Sequence, residues 1–274
     1  MDAATFLGLR PSHNRFRWTM AVEPRISNFG GNLFGGAGLA AAIVASEEVT
    51  GRSVIWASAQ YLSYARTLSV LDLDVKLAVQ GHNTTQARVT AHVADAEVLT
   101  VNAALGARPT PGEGTFAQRP VVPPPEDCPP RSFRMPAAGS INEHIEMRIA
   151  DGRDWPQLDG TPRVDGRSAM WARVTGTTDM SAATLAILGD WVPFALAQAL
   201  GRPAGGNSLD NTIRIIQPVP TDWVLLDMRV QAVRNGFGHG LVHQWAQDGT
   251  LMATASQSVI LRYRDGLPSE TDAT

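Results

Sequence analysis

The chain has 274 residues, of which 44% are hydrophobic and 18% charged, and a net charge of −3. That is enough chain for one large domain or two smaller ones, each with its own core. The balance lacks the basic excess of a nucleic-acid binder, and the single cysteine, Cys128, excludes an internal disulfide. Cys128 reads as an incidental loop thiol. The first residues show no charged segment followed by an apolar one. The most apolar stretch, 33–49, contains Glu47 and Glu48 and reads as a buried helix, not a membrane span. A cytoplasmic protein with no membrane and no nucleic-acid partner is the expectation.

In chain order, residues 16–22 form a plausible strand. Gly30-Gly31 and Gly35-Gly36 follow, then an Ala-rich helix over 37–49 with Gly51 as its C-cap. Strand-like runs come next at 53–64, 71–79, 84–93 and 97–105. Leu71, Leu73, Val75, Leu77 and Val79 alternate along one of them. Gly81-His82-Asn83 reads as a hairpin turn. Residues 108–136 are dense in proline, from Pro109 to Pro136, and predict an ordered crossing or extended linker without helix or inner strand. The second part repeats the order of the first: strands at 145–149 and 169–174, a helix over 184–200 ended by Gly201, then strands at 207–216, 224–233, 241–247 and 251–263. Gly236-Phe237-Gly238 reads as a turn. The expected division is a first unit at 1–107, a proline-rich linker at 108–140 and a second unit at 141–274. One apolar helix followed by antiparallel strands predicts an α+β fold in which each sheet wraps a central helix. Two unrelated α+β domains are the plainer alternative.

Four segments carry a family likeness. They are Asn32-Leu33-Phe34-Gly35-Gly36, Leu188-Gly189-Asp190-Trp191, Ser208-Leu209-Asp210-Asn211, and Gln247-Asp248-Gly249-Thr250-Leu251 running on through Ser256-Gln257 to Arg262. In this order the sequence resembles the acyl-CoA thioesterase II family of double-hotdog enzymes. The resemblance implies a double hotdog, two antiparallel sheets each around a central helix and joined into one continuous sheet. It further implies hydrolysis of acyl-CoA to free acid and CoA, with no cofactor and no metal, by a water held by Asp190, Ser208 and Gln257. A homo-oligomer paired through sheet edges is expected on the same ground. Asn211 replaces the family's His after the Asp. Ile216-Gln217-Pro218 and Arg66-Thr67-Leu68 replace its His-Arg-Pro and Arg-Pro-Gly, and these departures bear on substrate range.

The residue types suit the chemistry. Asp190 is an ionisable group within an otherwise apolar run, where a carboxylate is costly unless paired or functional. It could act as general base or orient the water. Ser208 and Gln257 can each donate and accept. A helix-start residue is the plain reading of Asp190, a turn residue that of Ser208, and a solvent-facing strand residue that of Gln257. Asp210 is a rival acid, more simply a group that satisfies loop amides. Gly35 and Gly36 open the first helix, where free amides could bind an oxyanion; close packing is the equal alternative. The first-half positions opposite Asp190 and Gln257 fall near Ala37 and Ala104, so one active site per chain is expected. The histidines His82, His92, His239 and His243 do not cluster. Trp56, Trp171, Trp191, Trp223 and Trp245 read as core or acyl-tunnel lining. A non-catalytic acyl-CoA or lipid binder on the same scaffold is the second reading. A dehydratase or hydratase ranks last, because no His neighbours Asp190 or Ser208.

Overall fold

The computed structural model describes residues 1–133, 139–177 and 179–264; Pro136 of the proline-rich stretch and the last ten residues of the second unit lie outside them. The chain opens with a short helix, α1 (Ala3–Leu7), and two short strands, β1 (Leu9–Pro11) and β2 (Arg17–Ala21). The first-half helix α2 (Gly35–Thr50) precedes β3 (Val54–Tyr61), β4 (Val70–Gln80), β5 (Thr84–Val93) and β6 (Ala96–Gly106). After the crossing come β7 (Ile145–Asp151), β8 (Arg167–Val174), α3 (Ala182–Leu188), α4 (Val192–Leu200), β9 (Ala204–Ser208), β10 (Asp210–Ile215), β11 (Val224–Arg234), β12 (Phe237–Ala246) and β13 (Leu251–Tyr263).

The strands form one antiparallel sheet in the order β1-β2-β4-β5-β6-β3-β10-β13-β12-β11-β8-β7, with β9 paired to the far end of β13. The order on one side of the β3–β10 seam mirrors the order on the other. At the seam Ser58 lies in register with Thr212, and their hydroxyls hydrogen-bond at 2.6 Å. The α+β double hotdog with one continuous sheet is therefore the architecture.

Alternation explains how the sheet wraps its helices. Leu71, Leu73 and Val75 of β4 are buried, while Asp72, Asp74 and Lys76 point the other way. Helix α2 is buried on every face along its first three turns, so its apolar residues form no single stripe. Its small residues allow this. A Cβ on Gly38 would sit 3.0 Å from Leu99. Gly51 ends the helix at φ 64°, a left-handed conformation open to glycine.

Four expectations need correction. The helix expected over 184–200 is two helices, broken at Gly189–Trp191. The strand expected over 207–216 is likewise two, split at Leu209. The hairpin expected at Gly236–Gly238 turns instead at Asn235 and Gly236, both with positive φ, and Gly238 belongs to β12. The most apolar stretch is Ala182–Leu200, whose length and composition match a membrane span, rather than 33–49; it is 83% buried within the protein.

The proline-rich crossing is ordered over its described part. It packs across the outer face of the second half, where Trp171, Trp223, Leu225, Trp245 and Cys128 form a separate apolar cluster. The Trp171 indole N–H donates to the Pro123 carbonyl at 2.9 Å. These three tryptophans thus cover the back of the sheet, not an acyl tunnel. Cys128 is a loop thiol, as expected, and is buried there; burial pushes its pKa up. The crossing then runs along the edge of β7: Arg131 N–H donates to the Met147 carbonyl and Ile149 N–H to the Pro129 carbonyl.

Candidate active site

The break between α3 and α4 carries the candidate site. Ser181 caps α3 by accepting from the Thr184 N–H, and Gly189 ends that helix. Pro193 stands in the first turn of α4, where a missing N–H costs nothing. Between the two helices Asp190 turns inward and is only 6% exposed. The interruption is supported from beneath by Gln244, whose amide donates to the Leu185 carbonyl at 3.0 Å. A Cβ on Gly189 would meet that amide at 2.7 Å, so glycine is needed for the close approach.

Asp190 is held from both halves of the chain, by helix α2 of the first and strand β13 of the second. Its Oδ2 accepts the Gly36 N–H at 2.7 Å, and its Oδ1 accepts from the Gln257 amide. The same Gln257 nitrogen donates to Ser208 Oγ at 3.0 Å, while Gln257 Oε1 accepts the Val192 N–H at 3.1 Å. Gln257, buried on β13, therefore has a fixed orientation, since its carbonyl end is taken by α4. Ser208 ends β9, paired with Val259 two residues beyond Gln257. The three residues singled out from sequence thus meet in one hydrogen-bonded chain. Burial raises the Asp190 pKa to about 6, against the lowering effect of the Gln257 and Gly36 hydrogen bonds.

Gly36 takes a different part from the one expected. Its N–H is taken by Asp190, so it is not a free donor for a substrate oxygen. Gly35 lines the cavity, and its N–H has no hydrogen-bond partner among the described residues. Both glycines are also required sterically. A Cβ on Gly35 would lie 2.8 Å from Asp190 Oδ2, and one on Gly36 would lie 2.8 Å from the Ala186 carbonyl. Asp210 accepts the Ser258 N–H at 2.8 Å, the amide-satisfying role read from sequence.

Two groups near the carboxylate escaped the sequence reading. The Tyr61 hydroxyl, beside Asp190 across Gly35, is buried and faces the Asn211 side chain; burial and the Asp190 charge push its pKa well up, against the lowering effect of Asn211. Asn211, which stands where the resembled family has His, is buried, with the Tyr61 hydroxyl as the polar neighbour of its side chain. Tyr61 lay inside a run legible only as a strand, and nothing in that run marks its hydroxyl as facing the helix entry.

The site opens into a cavity of about 1050 Å³ between the halves. Leu33, Phe34, Val98 and Leu99 line it from the first half, Trp191, Phe194 and Ser208 from the second, and Arg131 from the crossing. By register at the seam, Ser58–Asn102 corresponds to Thr212–Ser256, so the first-half counterpart of Gln257 is Ala103, one residue from the position expected.

The fold is that of a double-hotdog protein. The model of the acyl-CoA thioesterase C-terminal domain matches residues 125–261, half of the chain. A protein from Novosphingobium aromaticivorans DSM 12444, assigned as a thioesterase, is 34% identical over 92% of this chain and 98% of its own, with a TM-score of 0.82. The chain belongs to the acyl-CoA thioesterase family, and its class of reaction is thioester hydrolysis. The same fold is seen in a hot dog protein from Alicyclobacillus acidocaldarius at 21% identity (96% of this chain, 99% of that one, TM-score 0.84). It is seen again in acyl-CoA thioesterase II TesB2 of Mycobacterium marinum at 20% identity (97% and 100%, TM-score 0.75). No curated protein sequence matches the chain.

Proposed function

We propose that the protein hydrolyses acyl-CoA thioesters at one site per chain, with Asp190, Ser208 and Gln257 as the catalytic group. The observation that carries this reading is the hydrogen-bonded chain Ser208–Gln257–Asp190, whose two ends line the interhalf cavity. Gln257 gives one proton to each of its partners, so it aligns the carboxylate and the hydroxyl. Asp190 and Ser208 then present an acceptor and a donor to the attacking water. Asp190 takes a proton as the water oxygen adds to the thioester carbon. The negative charge that develops on the carbonyl oxygen calls for an N–H donor, and Gly35 at the start of α2 has one without a partner among the described residues. Collapse breaks the C–S bond, and the proton on Asp190 passes to the leaving thiolate. Ala103, opposite Gln257, can do none of this.

The same reading assigns the protein to acyl-lipid metabolism in the cytoplasm, as a homo-oligomer paired through its sheet edges. Light scattering of the purified chain tests the oligomer. A panel of acyl-CoA and acyl-carrier-protein thioesters, read by release of free thiol, tests the reaction. Turnover of the CoA thioesters is expected. Binding of acyl-CoA without thiol release would favour a non-catalytic acyl-CoA or lipid-binding role.

A further inference from the structure

The cavity holds a cation that the hydrolytic chemistry above does not use. Arg131 leaves the crossing just where its backbone pairs with β7, and its guanidinium turns into the cavity. There it lies against three aromatic rings: Phe133 at 4.7 Å, Phe194 at 4.8 Å and Trp191 at 5.1 Å from the ring centroids. Trp191 follows Asp190 in sequence and Phe194 lies one helical turn beyond it, so this end of the cavity adjoins the reacting centre. Stacking engages the faces of a guanidinium and leaves its edge N–H groups to seek acceptors. Among the described residues its guanidinium finds one acceptor, the Met147 sulfur at 3.3 Å from Nη1, and sulfur is a weak one. The charged group that bears on Arg131 is Asp154, but its oxygens are already engaged by the Ser132 N–H and hydroxyl and the Trp155 N–H. Desolvation accordingly depresses the Arg131 pKa, to about 10. A five-donor cation fixed in this way, on the wall of the cavity that Asp190 also lines, is arranged to receive an oxyanion.

We infer that Arg131 is a specificity-determining residue that receives a carboxylate at the far end of the substrate's acyl group, so that the preferred substrates are CoA thioesters of dicarboxylic acids. The inference rests on the hydrolase reading of Asp190. A phosphate of CoA offers the same chemistry. It sits at the other end of the pantetheine arm, whereas the aromatic cage flanks the residues next to Asp190, and this favours the acyl group.

The test compares succinyl-, glutaryl- and adipyl-CoA with their chain-matched butyryl-, valeryl- and hexanoyl-CoA, in the wild type and in Arg131→Met. The wild type is expected to favour at least one diacid thioester over its alkyl match. In Arg131→Met, kcat/KM for that diacid should fall about 10- to 100-fold, the scale of a charge-assisted hydrogen-bond pair. The alkyl thioester should stay within about 3-fold. Arg131→Lys keeps the charge but not the planar fork, and should show an intermediate loss; it also serves if the Met variant does not fold. Thioesters of the same acids on N-acetylcysteamine, which lacks phosphates, separate the two anion sources. A loss that persists there supports the acyl carboxylate. A loss confined to CoA thioesters, and equal for diacid and alkyl chains, would overturn the inference in favour of a phosphate contact. An equal loss on every substrate would reduce Arg131 to packing and overturn it as well. Calorimetric binding of glutaryl-CoA to wild type and variant reads the same preference without turnover, so failure of hydrolysis alone is distinguishable from failure of this inference.

Discussion

The Gly36 N–H donates to Asp190 Oδ2 across the two halves of the molecule, at 2.7 Å. Phe34, the N-cap of α2, offers no side-chain acceptor, so a carboxylate from the second half satisfies an amide at the start of the first-half helix. Asp190 is thus a structural cap and the proposed base at once. Its replacement removes a cap as well as a charge, and the effects have to be separated by experiment.

Linkage to pH separates them. The Asp190 pKa in the folded chain, about 6, lies above its ordinary value of 3.8. Between these values the folded state binds more protons than the unfolded state, so this residue's contribution to stability is full below about pH 4 and is lost as pH rises through 6. The loss is on the order of 3 kcal/mol at neutral pH. Asp190→Asn cannot titrate. Thermal melts of both proteins from pH 4 to 8 should therefore show the variant gaining on the wild type as pH rises. A pH-independent difference would show that the buried carboxyl does not titrate in this window.

Activity should follow the same group in the opposite sense. With Asp190 as base, kcat/KM rises with pH on a limb whose apparent pKa is about 6. The Gln257 hydrogen bond lowers that value, so Gln257→Leu should move the limb to higher pH as well as reduce kcat. It also orphans the Val192 N–H, at a stability cost of about 1–3 kcal/mol. A pH–rate profile of the variant, taken beside its melting curve, checks both.

Gly36→Ala is expected to damage fold and site together. The added Cβ would press on backbone of α3, the Ala186 carbonyl at 2.8 Å and Ile187 Cα at 3.0 Å, which a rotamer change cannot relieve. Overpacking of this kind costs about 1–3 kcal/mol, several degrees in Tm for a chain of this size. Calorimetry checks the stability and thiol release the accompanying loss of turnover.

Tyr61→Phe makes the contrasting case. The Tyr61 hydroxyl is buried and faces the buried Asn211 amide, so its removal relieves one desolvation cost and takes a polar neighbour from that amide. The two effects oppose each other, and stability should change by less than about 1 kcal/mol. A loss above about 1 kcal/mol in denaturant unfolding would mean that the hydroxyl is satisfied in solution.

The fold was largely legible because its elements obey simple periods. The alternation of β4 and the apolar block of α2 state their own burial, and the order of elements repeats across the chain. What hid was local. The apolar run from Ala182 to Leu200 masks a break that Gly189 and Pro193 both signal, since glycine stops helices and proline starts them. The Asn235-Gly236 pair, with both residues at positive φ, was the better turn signal than the glycines around Phe237. At the site, Asp190 announced itself by its apolar surroundings. Ser208 and Gln257 did not, because nothing local distinguishes them, and only the packing of β9 and β13 brings them to the carboxylate. Tyr61 and Arg131 were out of reach for the same reason: a strand residue and a linker residue acquire meaning only once the cavity closes around them.

The measurement that bears most directly on the proposed function is steady-state thiol release from acyl-CoA by wild type and Asp190→Asn at pH 7.5, with melting curves taken on the same preparations. A loss of kcat of roughly 1000-fold or more in a variant that still melts cooperatively is the expected result. A folded variant that retains turnover within a few-fold of wild type would contradict the assignment of Asp190 as the base.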